Sequence, residues 1–192
     1  MNLLQLSDSE VSKWHGDKNF EVQIAKSPED LESKLAKKNA EGFKGRITAG
    51  FCWKWNEPND GENLPLDVKI GDWHKPWNLK TEKGIGGFLS GELWAIDPKG
   101  FEQIGCVYTA QGFEYDWNGV IFGSDLVWRN GKWVGQKSGS ADPAMRSVEG
   151  ELFTQLVKNT YKVLLTRGLV GTYIYSVDDE TQKYFESLLK TS

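Results

Sequence analysis

Two short stretches carry residue types that can handle a nucleotide. The first is Thr109-Ala110-Gln111-Gly112-Phe113-Glu114-Tyr115-Asp116, entered from the apolar run Gln103-Ile104-Gly105-Cys106-Val107-Tyr108. A glycine here opens the backbone, so that N–H groups can come close to a phosphate. A carboxylate two residues on can accept hydrogen bonds from a ribose hydroxyl. As shape alone, the same stretch is a strand-to-helix turn that needs Gly112 and carries Glu114 as a surface acid. The second stretch is Asn159-Thr160-Tyr161-Lys162-Val163-Leu164-Leu165-Thr166-Arg167-Gly168. Arg167 ends an apolar helix just before a glycine turn, where its planar, permanently charged guanidinium can meet a phosphate bidentately. The blander use of such an arginine is to complement the negative end of the helix dipole.

The elements around these stretches must form a sheet flanked by helices. Residues 20–25 alternate apolar and polar side chains, as a half-buried strand does. Ser27-Pro28-Glu29-Asp30 then opens a helix, with a capping hydroxyl, proline at the first turn and acids at the positive end of the dipole. Leu31 and Leu35 keep helical spacing, Gly42 closes the segment, and residues 46–53 read as the next strand. Between 54 and 100 the pattern loosens around Pro58, Pro65, Pro76 and Pro98, with short strands expected at 67–70 and 93–96. Regularity returns with strands at 103–108 and 119–123, and with a hairpin of 126–128 and 132–134 around Asn130-Gly131. A long helix over 147–165, a strand over 172–176 and a last helix opened by Asp178-Asp179-Glu180 complete the chain. The expectation is one three-layer α/β domain over 1–192, mostly parallel, with 54–100 as an irregular aromatic insertion.

The pair of stretches, in this order and with a strand between, resembles motifs V and VI of superfamily 1 helicases. The flanks sharpen the likeness: Ala49-Gly50-Phe51-Cys52-Trp53-Lys54-Trp55, Pro76-Trp77-Asn78 and Gly119-Val120-Ile121-Phe122-Gly123-Ser124-Asp125-Leu126 are similar to proteins carrying a Schlafen group 3-like DNA/RNA helicase domain. The resemblance covers roughly residues 43 to 185 and implies a RecA-like domain, the C-terminal one of two. It implies that Arg167 is the arginine finger reaching the γ-phosphate of ATP, that Gln111 and the Gly112 amide face the phosphates, and that Glu114 binds the ribose. Thr109 and Thr166 would position these groups or touch a nucleic-acid backbone. ATP with Mg²⁺ is the implied cofactor of the full-length protein; DNA or RNA and an upstream P-loop domain are the implied partners.

The chain departs from a whole motor in two respects, for a Walker B acid on a first-domain strand is missing as well as a phosphate loop. No stretch reads G-x-x-x-x-G-K-[ST]; Gly84-Ile85-Gly86-Gly87 lacks the Lys-Ser/Thr tail and reads as a turn. The fragment alone is therefore expected to be inactive, and a helicase-derived binding module without hydrolysis is the alternative. A formal net charge of −4 argues against a strongly basic nucleic-acid footprint over the whole chain. Cys52 and Cys106 sit far apart in apolar runs and read as reduced core thiols. No run approaches the ~18 apolar residues of a membrane span, and no signal pattern opens the chain, so the protein reads as cytoplasmic. Asp72 and His74 make only two of a metal's ligands, so no metal site is expected. His15 beside Asp17 reads as surface. A nuclease would need Asp72, His74 and Asp116 to converge. Trp53, Trp55, Trp73 and Trp77 could stack nucleobases or simply cover the core of the insertion.

Overall fold

Strands that alternate with amphipathic helices must be covered on both faces, and this chain does so around a parallel sheet. A computed structural model describes residues 19–58, 63–80, 83–88 and 90–189. His15, Asp17 and the opening Met1 lie outside the described residues. The elements run β1 (Glu21–Ile24), α1 (Pro28–Ala40), β2 (Gly45–Ala49), β3 (Val68–Ile70), β4 (Trp73–Lys75), β5 (Ile104–Gly105), α2 (Val107–Ala110), β6 (Tyr115–Phe122), β7 (Leu126–Arg129), β8 (Lys132–Gly135), α3 (Gly150–Leu165), β9 (Gly168–Ser176) and α4 (Asp179–Leu189). Five strands form one parallel sheet in the order β1-β9-β6-β2-β5; β3-β4 and β7-β8 are separate antiparallel hairpins.

Helix α1 begins as its residues require: the Asp30 amide donates to Ser27 Oγ at 3.2 Å, and Pro28 occupies the first turn. Its Leu31 and Leu35 join Ile47, Trp117, Ile121 and Tyr173 on one face of the sheet. Val120, Phe122 and Ile174 point to the other face, against Phe153, Val157, Tyr161 and Leu164 of α3 and Phe185 and Leu188 of α4. The alternation along β6, with Trp117 and Ile121 on one side and Val120 and Phe122 on the other, is the period-two pattern of a strand buried on both faces.

Three expected strands change. The run at 103–108 pairs only over Ile104–Gly105 before turning into α2. Thr109 Oγ1 accepts from the Cys106 amide at 3.1 Å, and the Ala110 amide reaches the Cys106 carbonyl at 2.9 Å. A local side-chain cap thus beats strand propensity. The stretch 93–96 is helical turn: the Ile96 amide bonds the Leu93 carbonyl at 3.0 Å. There Trp94 is buried with its indole N–H on the Gly100 carbonyl at 2.9 Å, and burying that ring sets the backbone. The strand expected over 46–53 ends at Ala49, because the Cys52 amide turns back to the Gly50 carbonyl at 2.8 Å.

The described residues of the insertion are anchored at two places. The Ile104 amide bonds the Pro76 carbonyl and the Asn78 amide bonds the Ile104 carbonyl, both at 2.9 Å, so 76–78 runs along the edge of β5. Arg46 is buried on β2 and donates to the carbonyls of Gly45 (2.8 Å), Trp94 (3.2 Å) and Asp97 (2.6 Å). At the opposite, C-terminal end of the sheet, buried Asp125 accepts the Tyr161 hydroxyl at 2.6 Å, and that oxygen accepts the Gly123 amide at 2.9 Å. Desolvation raises the Asp125 pKa, with the Tyr161 hydrogen bond opposing it.

Candidate functional site

Parallel neighbours in a sheet start at the same edge, so the residues preceding them are brought side by side. Here Tyr115, the first residue of β6, lies opposite Gly168, the first of β9. Glu114 and Arg167 are the residues just before them. The Tyr115 amide donates to the Arg167 carbonyl at 3.1 Å, and Arg167 Nη1 donates to the Phe113 carbonyl at 3.4 Å. The two stretches singled out in the sequence therefore form one continuous edge.

Buried polar contacts fix that edge. Asn118 on β6 donates from Nδ2 to the Leu164 carbonyl at 2.6 Å and accepts the Tyr115 hydroxyl at 3.0 Å. It ties the end of α3 to the sheet one turn before Arg167, and nothing in the sequence pattern marked it. Gly168 makes room next: a Cβ there would lie 2.4 Å from the Gly171 carbonyl oxygen. On the other stretch, Gly112 has φ of +91°, a conformation glycine adopts without strain.

The Arg167 guanidinium is half-exposed and has no carboxylate partner among the described residues. Its Nε donates to the Val163 carbonyl at 3.0 Å and its Nη2 to Thr166 Oγ1 at 3.0 Å. Thr166 is itself turned back, its hydroxyl on the Val163 carbonyl at 2.8 Å. The arginine thus caps α3 as helix electrostatics favours, and does so with neutral acceptors that a doubly charged oxygen group would outcompete. Gln111 and Glu114 are exposed, and neither side chain has a partner among the described residues. Thr109 is engaged: its hydroxyl caps α2 and donates to Asn78 Oδ1 at 3.0 Å, a positioning use.

Beside this edge opens a cleft of about 840 Å³ lined by Phe51, Trp55, Lys80, Tyr108, Gln111 and Phe113, among others. Phe51 lies 5.8 Å from the Trp55 ring and 6.3 Å from the Tyr108 ring. Of the four tryptophans considered, Trp73 and Trp77 are core residues, Trp53 holds the Lys69 carbonyl at 2.9 Å, and Trp55 reaches the cleft. The residues weighed for a nuclease are placed otherwise. Asp72 and His74 belong to the β3–β4 hairpin and its turn, while Asp116 Oδ2 accepts the Lys44 amide at 2.7 Å. Among the described residues no group of three or more His, Cys, Asp and Glu could hold a metal ion. Gly86 and Gly87 form a tight turn between Ile85 and Phe88, which exchange backbone bonds of 3.0 and 2.9 Å. No helix of the described residues is long and apolar enough to cross a membrane.

A five-stranded parallel sheet between α1 on one face and α3 and α4 on the other is the three-layer arrangement of RecA-like domains. Residues 1–178 match the family Schlafen group 3, DNA/RNA helicase domain, and the chain belongs to that family. An uncharacterized protein of Saccharomyces cerevisiae, YPL245W, is 28% identical over 200 aligned positions, covering 96% of this chain and 41% of the yeast protein. The chain thus spans about two fifths of that relative's length. No solved structure matches.

Proposed function

We propose that this chain is the second RecA-type lobe of a superfamily 1 helicase-like ATPase, completing an ATP site whose P-loop belongs to an upstream domain. The observation that carries the reading is the shared edge of β6 and β9, which holds Arg167 against the Gln111–Glu114 loop through the Phe113 carbonyl. In this reading Arg167 swings from its helix-capping bonds to the γ-phosphate, where a fixed positive charge stabilises phosphoryl transfer. Gln111 and the Gly112 amide would face the phosphates, and the Glu114 carboxylate, without a partner among the described residues, would accept from the ribose hydroxyls. Thr109 and Thr166 hold the loop and the arginine in place. Mg²⁺ bound with ATP would supply neutralisation of phosphate charge, and residues of the other lobe would hold it. DNA or RNA is the polymer acted on.

The test is Arg167→Ala in the full-length protein. ATP turnover should fall by ~10³-fold or more, with nucleotide binding nearly intact; undiminished turnover would refute the finger assignment. A second reading, a binding module that hydrolyses nothing, is favoured by one feature: the bonds Arg167 makes stay within its own helix end and the adjacent loop. It predicts that the full-length protein turns over no ATP with or without single-stranded nucleic acid.

A further inference from the structure

We propose that Tyr161, held by Asp125, is a positioning residue for Arg167: its hydroxyl fixes the last turn of α3, on which the arginine is mounted. The inference rests on the finger reading above. Three stretches marked in the sequence meet at this hydroxyl, and the ATP-site reading uses only the one that ends in Arg167. Tyr161 belongs to that stretch, Gly50 follows β2, and Gly123 and Asp125 follow β6. Tyr161 Oη accepts the Gly123 amide at 2.9 Å and donates to Asp125 Oδ1 at 2.6 Å. The tyrosine is fully buried, and a Cβ at Gly50 would overlap its hydroxyl. Asp125 is buried in turn, and its backbone carbonyl holds the Gln136 amide at 2.8 Å, so the acid is a fixed partner. Burial, with the Asp125 carboxylate adding to it, pushes the Tyr161 hydroxyl well above the ordinary tyrosine range, so it stays a donor at neutral pH.

The rest of α3 meets the sheet through Phe153, Val157 and Leu164, and apolar contact has no direction, so it does not index a helix along its axis. Hydrogen bonds do. The Gly135 amide on Thr154 Oγ1, at 3.1 Å, holds the first turns of α3, and Asn118 holds the Leu164 carbonyl. Tyr161 acts between them, three residues before Leu164. Arg167 rests on this last turn, with Nε on the Val163 carbonyl and its amide on the Leu164 carbonyl at 3.3 Å. When the guanidinium leaves for a phosphate, the Val163 carbonyl loses that donor. The turn then keeps its place through the bonds that do not involve the arginine, those of Asn118 and Tyr161. Loss of the Tyr161 hydroxyl therefore acts on the engaged arginine, and so on turnover more than on ATP binding.

The test is a double-variant cycle in the full-length protein, read as kcat and KM for ATP. Tyr161→Phe keeps the ring, which stacks on Phe122 at 4.0 Å, and removes only the hydroxyl. It should lower kcat about 10- to 100-fold, the cost of a misplaced group, with KM nearly unchanged. In an Arg167→Ala background the same change should lower kcat no further, because it acts through the arginine. Val157→Ala thins the packing of the same helix and leaves the tyrosine bonded, so its kcat should stay close to that of the parent. If Tyr161→Phe does not fold, Gly50→Ala, which displaces the hydroxyl and keeps every bonding group, carries the same test. An equal loss from Tyr161→Phe with and without Arg167, or an equal loss from Val157→Ala, overturns the inference while the finger reading stands. Undiminished turnover in Tyr161→Phe overturns it also. If Arg167→Ala alone leaves turnover undiminished, the finger reading falls, and the inference with it.

Discussion

Two arginines far apart in the sequence are bonded in nearly the same way and sit in different surroundings. Arg46 and Arg167 both spread their N–H groups over backbone carbonyls, and neither forms an ion pair among the described residues. Arg46 is 3% exposed, clamped under the insertion, and desolvation lowers its pKa. Arg167 stands half-exposed at an open edge near Gln111 and Glu114, whose side chains have no partners among the described residues. The lesson is that hydrogen-bond count does not separate an arginine locked in place from one that can leave; the cost of leaving does. Arg46 cannot move without stranding buried carbonyls, whereas Arg167 leaves behind groups that water can reach.

That contrast can be broken by substitution. Arg46→Met should cost about 3 kcal/mol of unfolding free energy, since the Trp94 and Asp97 carbonyls lose their donor in a dry site. Arg167→Met should cost less than about 0.5 kcal/mol, as exposed positions usually do. Equal losses in urea titrations of the two variants would erase the distinction. Asn118→Ala should fall between them, at about 2 kcal/mol, because it strands the Leu164 carbonyl and the Tyr115 hydroxyl together. It should also loosen the α3–β9 turn, seen as faster amide exchange at Arg167 and Gly168; unchanged exchange there would remove Asn118 from the positioning of the site.

A smaller effect is expected away from both arginines. Asp178 receives Arg129 through Nη1 at 2.8 Å and Nη2 at 2.5 Å, and also the Thr181 amide at 2.9 Å at the start of α4. The Arg129 bonds, helped by Thr181, hold its carboxyl far below the usual carboxylate range. A depressed carboxylate stabilises the fold above its unfolded pKa of about 3.9 and loses that contribution as the pH falls through the folded value. Asp178→Ala should therefore cost about 1–2 kcal/mol at neutral pH, with the gap to the parent closing below about pH 4. A gap constant from pH 7 down to pH 3 would show that the clamp contributes no charge-dependent stability.

Much of the frame was legible because it obeys local rules. Ser27 and Pro28 start α1 where capping chemistry puts them, and the apolar run around Val120 is a strand buried on both faces. The hairpin at Asn130-Gly131 follows from two residues that accept a positive φ, +51° and +76°. Legibility failed where side chains overrode propensity. Thr109 capped a helix out of an apparent strand, and Trp94 bent its segment to bury a ring. The candidate site was half visible: Gln111, Gly112, Glu114 and Arg167 stood out by type, while the buried bond from Asn118 that fixes their edge reaches Leu164, 46 residues away. No spacing rule links such residues.

The sequence by itself determined the alternation of strands and helices, the helix starts, and the two stretches whose residue types suit a nucleotide. Those depend on neighbours within a turn or two of the chain, where capping, periodicity and glycine's freedom act. Only the tertiary structure decided that β6 and β9 lie side by side with Tyr115 opposite Gly168, and so that Arg167 meets the Gln111 loop. Only it decided which tryptophans are core and which one reaches the cleft. Strand order and ring burial are settled by packing energy summed over the whole molecule, and no single segment carries that sum.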